Sequence, residues 1–283
     1  MQVMVMASAY RDIVTRGDCV EVMKSMPAES VDFILTDPPY LVRYCDRSGR
    51  TVKNDNNDAW IDPAFAQMHR VLKPNSFCVS FYAWNKVDRF LEAWKKAGFR
   101  MAGHVVFTKK YSSSARFMSY QHEQAYLLAK GNPEAPANPP PDVIPWTYTG
   151  NKLHPTQKPV GIFAPLLEAF TKPGDVVLDP FAGSGSTLVA ARDMGRRFVG
   201  IELDETHHRT ASTRLASKFN QPGVAQSRFR QPIIVEPVVS KFYTPDTAVD
   251  VHDAVPFVAP AAHVRPPTRV FAPAFKPQVS PCM

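Results

Sequence analysis

The sequence predicts an α/β protein with a mostly parallel, doubly wound sheet of the Rossmann-like type, helices on both faces and a proline-rich C-terminal tail. One observation predicts the sheet: β-rich runs alternate with helical periods. Such alternation builds parallel sheets that helices cover on both sides. A second observation predicts the tail, because eleven of the 27 prolines lie between Pro222 and Met283, where they interrupt helices and paired strands. We therefore expect a domain over residues 1–220 and a disordered tail over residues 221–283.

The individual strands and helices follow from periodicity. Seven runs rich in β-forming residues predict strands, at Asp12–Thr15, Val31–Thr36, Ser76–Tyr82, Arg100–Thr108, Gln124–Leu128, Asp175–Leu178 and Arg197–Ile201. Helical periods lie near residues 60–72, 85–97, 158–170, 186–194 and 204–218. The proline-rich connection Gly131–Pro159 breaks the alternation, and a loop of that length in a compact domain is usually functional or mobile.

Composition and cysteine spacing argue against several classes of protein. At 283 residues with 45% apolar residues, the chain is long enough to bury a core. It has no apolar run of eighteen residues and no basic flank before a sustained apolar segment at its start, so we expect a cytoplasmic protein without a membrane span. Four widely spaced cysteines without a CxxC pair argue against a disulfide scaffold and a structural zinc. The net charge of +7 suits a polyanionic partner such as nucleic acid.

A glycine-rich turn follows one predicted strand, in the stretch VVLDPFAGSGSTLVAARDMG at residues 176–195. The strand reaches Asp179, a turn contains Gly183 and Gly185, and a helix follows. Glycines let the backbone approach a ligand, and the helix N-terminus presents free N–H groups. Glu202 ends the next strand about twenty residues farther on, where a carboxylate suits ribose hydroxyls. The pattern predicts a ligand that contains adenosine.

Two familiar nucleotide motifs do not match this turn. A P-loop needs Lys after its second glycine, and Ser186 stands there. A dinucleotide fold carries a third glycine where this chain has Leu188, which weakens the case for a nicotinamide ligand. A tight strand-to-helix turn without any ligand is the remaining alternative, and Glu202 argues against it.

The stretch TDPPY at residues 36–40 ends another predicted strand and is therefore expected at the same edge of the sheet. Pro38 and Pro39 fix φ and have no N–H, so the carbonyls here, that of Pro38 above all, point outward without a competing donor. With the Asp37 carboxylate they offer two acceptors for the hydrogens of an exocyclic amino group, and Tyr40 offers a stacking surface. A turn with a helix cap is the alternative interpretation of these four residues.

Three motifs together, TDPPY, HPTQKP and VLDPFAGSGST, resemble those of the amino-group DNA methyltransferases that use S-adenosylmethionine. Their order, with the catalytic motif before the cofactor motif, is that of the beta class, and the resemblance covers roughly residues 10–218. It implies a Rossmann-like methyltransferase fold, S-adenosylmethionine as cofactor and double-stranded DNA as partner. It leaves a homodimer and a cognate restriction enzyme open. Such an enzyme is expected in the cytoplasm, at the nucleoid if its source is bacterial.

The resemblance carries roles to matching positions. The catalytic motif consists of Asp37, Pro38, Pro39 and Tyr40. The implied cofactor-binding residues are Asp18, Thr156, Gln157, Lys158, Asp179, Phe181, Gly183, Gly185 and Glu202. In the family, the acid that Asp18 matches lies near the adenine end of the cofactor, and the Thr and Lys of HPTQKP lie near its methionine carboxylate. A lysine followed by a helix start also favours a carboxylate on physical grounds. His154 has no second ligand at metal spacing, so we interpret it as structural and predict no metal.

The same resemblance implies methyl transfer to the N6 of adenine. An ordinary Asp has a pKa of about 3.9 and cannot deprotonate a neutral aryl amine. Asp37 is therefore expected to accept a hydrogen bond and orient the nitrogen, with the proton lost as or after the methyl group moves. Tyr40 is expected to stack on a base flipped from the duplex. Cytosine N4 is the runner-up, since family members that act on cytosine more often carry Ser at the position of Asp37.

Two other functions stay open on the sequence. Related Asn/Asp-Pro-Pro-Tyr motifs serve RNA and protein-amide methyltransferases, against which the basic charge and the motif order argue. A nucleic-acid-binding protein that has lost catalysis could keep the fold, but every motif position in this chain is filled.

Two basic loops are candidates for contact with DNA. The segment Leu41–Asp58 follows the catalytic motif, and the segment Thr108–Glu123 mixes basic residues with the aromatic residues Tyr111, Phe117 and Tyr120. The candidate side chains are Arg43, Arg47, Arg50, Lys53, Lys109, Lys110 and Arg116. Such side chains suit phosphates, although a solvated charged loop is nearly as compatible with them. No long insertion separates the motifs, so we expect a short recognition sequence or loose selectivity.

Overall fold

The computed structural model describes residues 12–45, 49, 51–112, 117–147, 153 and 157–217. The tail predicted over residues 221–283 lies outside this range. Within the described part of the chain, eight strands form a single sheet and six α-helices accompany it. No helix there is both long enough and apolar enough to span a membrane.

The strands, in chain order, are β1 (Ile13–Arg16), β2 (Val31–Thr36), β3 (Leu72–Phe81), β4 (Arg100–Lys109), β5 (His122–Lys130), β6 (Val143–Trp146), β7 (Val176–Asp179) and β8 (Arg197–Glu202). They lie side by side in the order β1-β8-β7-β2-β3-β5-β4-β6. Every neighbouring pair is parallel except the two pairs that β5 forms, with β3 and with β4. The mostly parallel sheet expected from the sequence is therefore confirmed, with β5 as its reversed strand.

The helices are α1 (Cys19–Ser25), α2 (Ile61–Val71), α3 (Val87–Ala97), α4 (Ala164–Phe170), α5 (Ser186–Asp193) and α6 (Glu205–Ala216). Successive side chains of β2 enter two different hydrophobic cores. Ile34 packs in the core that contains α1, α2 and α3, whereas Phe33 and Leu35 pack in the core that contains α4 and α5. Because successive strand residues point to opposite faces, helices cover both faces of the sheet, and the doubly wound architecture is confirmed.

Three elements differ from the expectation. Helix α1 has only seven residues, too few for a helical period to stand out in the sequence. Strand β6 lies within the connection that the prolines mark as a loop. It contains Pro145, which is compatible with a strand here because β6 is at the edge of the sheet. The helix expected over residues 158–170 begins only at Ala164, after a 3₁₀ turn over Val160–Ile162.

The carboxyl ends of β2 and β7 meet in the middle of the sheet. The strands are paired, with Phe33 opposite Val177, and the Thr36 hydroxyl donates to Asp179 Oδ1 at 3.2 Å. From β2 the chain continues to β3 on one side, and from β7 it continues to β8 on the other. Ligands of open α/β sheets bind where the strand order reverses in this way, so both sequence motifs lie where a ligand site is expected.

Candidate active site

A cleft opens at the junction of β2 and β7, and the space within it, including the open solvent at its mouth, is about 1160 Å³. The predicted site residues that line the cleft are Asp18, Asp37, Pro38, Pro39, Tyr40, Gln157, Lys158, Asp179, Phe181, Gly183 and Glu202. Thr156 and His154 lie outside the described residues. One cleft therefore collects both halves of the site that the sequence predicts.

Gly185 is the described cofactor candidate that does not line the cleft. Its φ of +80° lies in the left-handed region that favours glycine, and a Cβ at this position would stand 3.0 Å from the Cβ of Ala211 in α6. Gly185 thus lets α5 and α6 approach each other. Gly183, with a φ of +51°, lines the cleft itself.

Glu202 ends β8, and two backbone N–H groups hold its carboxylate. The N–H of Gly183 donates to Oε2 and that of Asp204 donates to Oε1, each at 2.7 Å. Burial raises the pKa of this carboxyl, and the two hydrogen bonds oppose the rise. Each oxygen keeps a second lone pair, so Glu202 can still accept hydrogen bonds from two hydroxyl groups of a ligand.

Asp179 ends β7 and is buried between the two motifs. Its Oδ1 accepts hydrogen bonds from the N–H of Phe181 at 3.1 Å and from the Thr36 hydroxyl at 3.2 Å. Burial raises the pKa of the Asp179 carboxyl to about 7 against these hydrogen bonds, and the negative charge of Asp37 adds to the rise. Asp179 therefore changes its charge near neutral pH.

Asp18 precedes α1 and caps it. Its Oδ1 accepts hydrogen bonds from the N–H groups of Val20 at 2.9 Å and Glu21 at 3.2 Å, and an acid is favourable at a helix N-terminus. Asp18 therefore both caps α1 and lines the cleft. Its role toward a cofactor stays a prediction.

Side chains, not backbone groups, hold the Asp37 carboxylate. Lys158 Nζ donates to Oδ2 at 2.6 Å, and the Tyr40 hydroxyl donates to Oδ1 at 2.8 Å. Burial raises the pKa of Asp37, and Lys158 opposes the rise. In return, against the effect of burial, the charges of Asp37 and Glu123 raise the pKa of the Lys158 ammonium. The sequence match predicts that Lys158 contacts the carboxylate of the cofactor. The structure shows its ammonium in contact with Asp37.

Glu123 lies at the start of β5 and joins the same group. Its Oε2 lies 3.2 Å from the Tyr40 hydroxyl oxygen and 3.7 Å from Lys158 Nζ, and its Oε1 accepts from Lys109 Nζ at 2.5 Å. Despite burial, the two ammonium groups lower the pKa of Glu123. We call Asp37, Lys158, Glu123 and Lys109 the buried charge cluster. The negative charges of its two carboxylates balance the positive charges of its two ammonium groups.

Sequence reasoning missed Glu123. The one available signal is an acid near the beginning of an otherwise apolar strand, HEQAYLLAK at residues 122–130. Side chains at the start of a strand usually lie at the opposite edge from the ligand site of a parallel sheet. Because β5 runs against its neighbours, its start lies at the same edge as the ends of β2 and β7.

The basic residues proposed for DNA contact that the structure describes fall into three groups. Arg43 and Lys110 are exposed. Lys53 lines the cleft and lies 3.5 Å from a carboxylate oxygen of Asp204. Lys109 is buried with its charge paired to Glu123, so it faces the interior and not a phosphate. The others lie outside the described residues: Arg47, Arg50 and Arg116.

Large apolar side chains are exposed at the edge of the sheet where Asp37 lies. Trp84 follows β3 and Tyr120 precedes β5, and their rings are stacked at 5.9 Å between centroids with an interplanar angle of 18°. Trp84 is 60% exposed, and Phe117 and Met118 are 83% and 69% exposed. Trp84 and Tyr120 lie at the same edge of the sheet as Asp37 and Lys110, because β3 and β4 end at this edge and β5 begins there.

Comparison with known proteins agrees with this geometry. Residues 31–213 match the family model of the DNA methylases of the N6 and N4 type. The chain is 55% identical over 219 residues to YubD of Escherichia coli (strain K12), a protein whose name places it among the methylases, and the match covers 77% of this chain and 96% of YubD. It is 28% identical over 261 residues to YhdJ of the same strain, which is named a DNA adenine methyltransferase, with 77% of this chain and 88% of YhdJ covered.

A solved structure shows the same fold. The M1.HpyAVI–SAM complex superposes with a TM-score of 0.58 at 24% sequence identity, and the superposition covers 72% of this chain and 98% of that chain. The family match extends over both motifs that line the cleft and over the strand that carries Glu202. The chain therefore belongs to the DNA methylase family of amino-methyltransferases, the family that its three motifs resemble.

Proposed function

We propose that the protein transfers a methyl group from S-adenosylmethionine to the N6 amino group of adenine at a specific site in DNA. The observation that carries the proposal is that the TDPPY motif and the glycine-rich turn share one cleft, where Asp37 follows the end of β2 and Asp179 ends the paired strand β7. An amine held at Asp37 lies beside a ligand held at Gly183 and Glu202. We assign the activity to a domain over residues 1–220 that acts in the cytoplasm.

The chemistry of the cleft fits S-adenosylmethionine. Carboxyl groups of Asp18, Asp179, Glu202 and Asp204 line it, and this cofactor carries a positive sulfonium, an ammonium group and ribose hydroxyls, all of which favour nearby carboxylates. When bound, S-adenosylmethionine supplies an electrophilic methyl group. Glu202 is positioned at a strand end after a glycine-rich turn, as are the acids that bind ribose in nucleotide-binding folds.

Asp37 holds the amine that is methylated. Its carboxylate and the carbonyl of Pro38 accept the two hydrogens of the amino group, which turns the nitrogen lone pair out of conjugation with the base. Because burial raises the pKa of Asp37, this carboxylate also accepts the proton that leaves the nitrogen as or after the methyl group is transferred. Before the amine arrives, Lys158 and Tyr40 hold the carboxylate, so we assign Lys158 to Asp37 and not to the carboxylate of the cofactor.

Adenine is favoured over cytosine by the identity of residue 37. The resemblance associates Asp at this position more with adenine and Ser more with cytosine. The likeness to YhdJ, named a DNA adenine methyltransferase, supports the same base. Tyr40 lines the cleft beside Asp37, where its ring can stack on a base that has left the duplex.

The DNA is proposed to lie across the mouth of the cleft. Arg43 and Lys110 are exposed and suit phosphates. The stacked rings of Trp84 and Tyr120 offer an aromatic surface for a base. Lys53 remains in the proposed set at the cofactor end, and Lys109 leaves it because it is buried. For Arg47, Arg50 and Arg116, the proposed contact with DNA rests on the sequence alone.

A labelling experiment tests the reaction and the base together. The protein is incubated with unmethylated DNA and S-adenosylmethionine labelled in its methyl group, and the DNA is digested to nucleosides and separated. We expect the label in N6-methyl-2′-deoxyadenosine. Label in N4-methylcytosine would overturn the base assignment. Parallel incubations with RNA and with protein test the other acceptors, and label there without label in DNA would refute a DNA methyltransferase.

A further inference from the structure

The Tyr40 hydroxyl has one proton and two carboxylates within reach. Asp37 Oδ1 lies at 2.8 Å and Glu123 Oε2 at 3.2 Å. The shorter contact identifies Asp37 as its present acceptor. Glu123 is then a second acceptor that the same hydroxyl can reach after a small movement.

Lys158 has the same pair of carboxylates around it. Its ammonium donates to Asp37 Oδ2 at 2.6 Å and lies 3.7 Å from Glu123 Oε2, and its side chain is only 5% exposed. Both oxygens of Asp37 therefore carry a donor before any substrate arrives. A target amine that donates to Asp37 has to share it with Tyr40 or Lys158, or to displace one of them.

From this arrangement we propose that Glu123 is a positioning residue for methyl transfer, which takes over the Tyr40 hydroxyl and the Lys158 ammonium when the target amine occupies Asp37. The proposal rests on the function proposed above and adds a residue to it. Lys109 holds Glu123 from the other side through Oε1, so that Oε2 stays directed toward Tyr40 and Lys158. Without Glu123, the Tyr40 hydroxyl displaced from Asp37 would have no carboxylate to accept its proton, and the Lys158 ammonium would keep only the Tyr40 oxygen at 3.2 Å. Such a loss is costly in a protein interior.

The location of Glu123 separates this role from cofactor binding. Glu123 lies behind Tyr40 and is not among the residues that line the cleft. The Glu123→Gln variant keeps the size of the side chain and removes its charge. We expect its kcat to fall by roughly tenfold or more, while the dissociation constant for S-adenosylhomocysteine stays within about twofold of the wild-type value.

The pH profile provides a readout that a merely structural role would not change. The negative charge of Glu123 raises the pKa of Asp37. Removing it lowers that pKa, so the acid limb of the kcat profile of Glu123→Gln is expected to move to lower pH. The matched control is Glu92→Gln, an exposed acid of α3 paired with Arg89, for which kcat and the acid limb should equal those of the wild type.

Removal of Glu123 alone leaves two buried ammonium groups facing one acid, and this variant could fail to fold. The double variant Glu123→Gln/Lys109→Met restores the charge balance and keeps the test valid. We expect it to melt near the wild-type temperature and still to show the reduced kcat and the displaced acid limb. Wild-type kcat with an unmoved limb in either folded variant would refute the role of Glu123. Absence of methylation by the wild-type protein itself would instead refute the proposed function.

Discussion

The two sides of the cleft hold their carboxylates by different means. On the cofactor side, Asp18, Asp179 and Glu202 each accept hydrogen bonds from backbone N–H groups. On the target side, Asp37 accepts hydrogen bonds from the side chains of Lys158 and Tyr40. Backbone donors are fixed once the chain has folded, whereas side-chain donors can exchange one acceptor for another. In the function proposed above, the cofactor side therefore serves to bind, and the target side to rearrange during the reaction.

If the two sides act separately, the largest effect comes from removing the acid of the target side. Asp37→Ala should lower kcat by about 10³-fold, because the amine loses both its orientation and its proton acceptor. Binding of S-adenosylhomocysteine, measured by calorimetry, should stay within about twofold of the wild type. Asp88→Ala, an exposed acid of α3, is the matched control and should keep full activity. Residual activity of Asp37→Ala near that of the control would contradict the catalytic assignment.

Lys158 lies on the boundary between the two sides and sharpens the comparison. Lys158→Met should reduce kcat roughly tenfold to a hundredfold, since Asp37 loses a charge-assisted hydrogen bond. Cofactor affinity should not change. A large loss of affinity for S-adenosylhomocysteine, with kcat less affected, would return Lys158 to the cofactor carboxylate, as the sequence match suggests. The exposed Lys96→Met variant controls for loss of positive charge.

A smaller effect is expected from pH on the cofactor side. Asp179 has a pKa of about 7, so it is ionised above that pH and increasingly protonated below it. The ammonium group that S-adenosylhomocysteine shares with the cofactor favours the ionised form of Asp179. Affinity for S-adenosylhomocysteine should therefore fall by up to about tenfold between pH 8 and pH 6. Asp179→Asn should flatten this dependence. An equally steep dependence in the variant would assign it to another group, such as Glu202.

The smallest effect should come from the exposed aromatic surface, outside both sides of the cleft. Trp84→Ala should raise the KM for DNA by about fivefold through loss of a stacking surface, without changing cofactor affinity. Trp84→Phe keeps an aromatic ring and should restore most of the loss. Equal KM values for the alanine variant and the wild type would remove Trp84 and Tyr120 from the proposed DNA contact.

The same contrast explains what the sequence could predict. The residues of the cofactor side lie in short motifs at strand ends, such as Asp179 to Gly183. Their partners are mainly backbone groups close in the chain, with the Thr36 hydroxyl on Asp179 and the Gly183 N–H on Glu202 as the longer-range exceptions. The contacts of the target side join residues far apart in the chain: 121 residues separate Lys158 from Asp37, and 83 separate Glu123 from Tyr40. Such pairings depend on strand order and direction, which periodicity does not reveal.

Two structural elements were hidden for local reasons. Helix α1 is short and depends on its Asp18 cap, and β6 exists because the edge of the sheet tolerates Pro145. The strands and helices with clear periodicity, among them β2, β7 and α5, lie where the sequence indicates. The turn at Gly183 and the motif at Asp37 meet as expected because both follow parallel strands.

The reversed direction of β5 bears on how the recognition of DNA can diversify. Asp37, the acid of the target side, follows the parallel strand β2 and belongs to a loop. Glu123 instead belongs to the strand itself, where it stands opposite Phe107 of β4. The preceding loop, which carries Lys110 and Tyr120, can change in length and sequence while the acid at its base keeps its place in the ladder. If this loop contacts DNA as proposed, its selectivity can therefore vary without disturbing the charge next to the reacting amine.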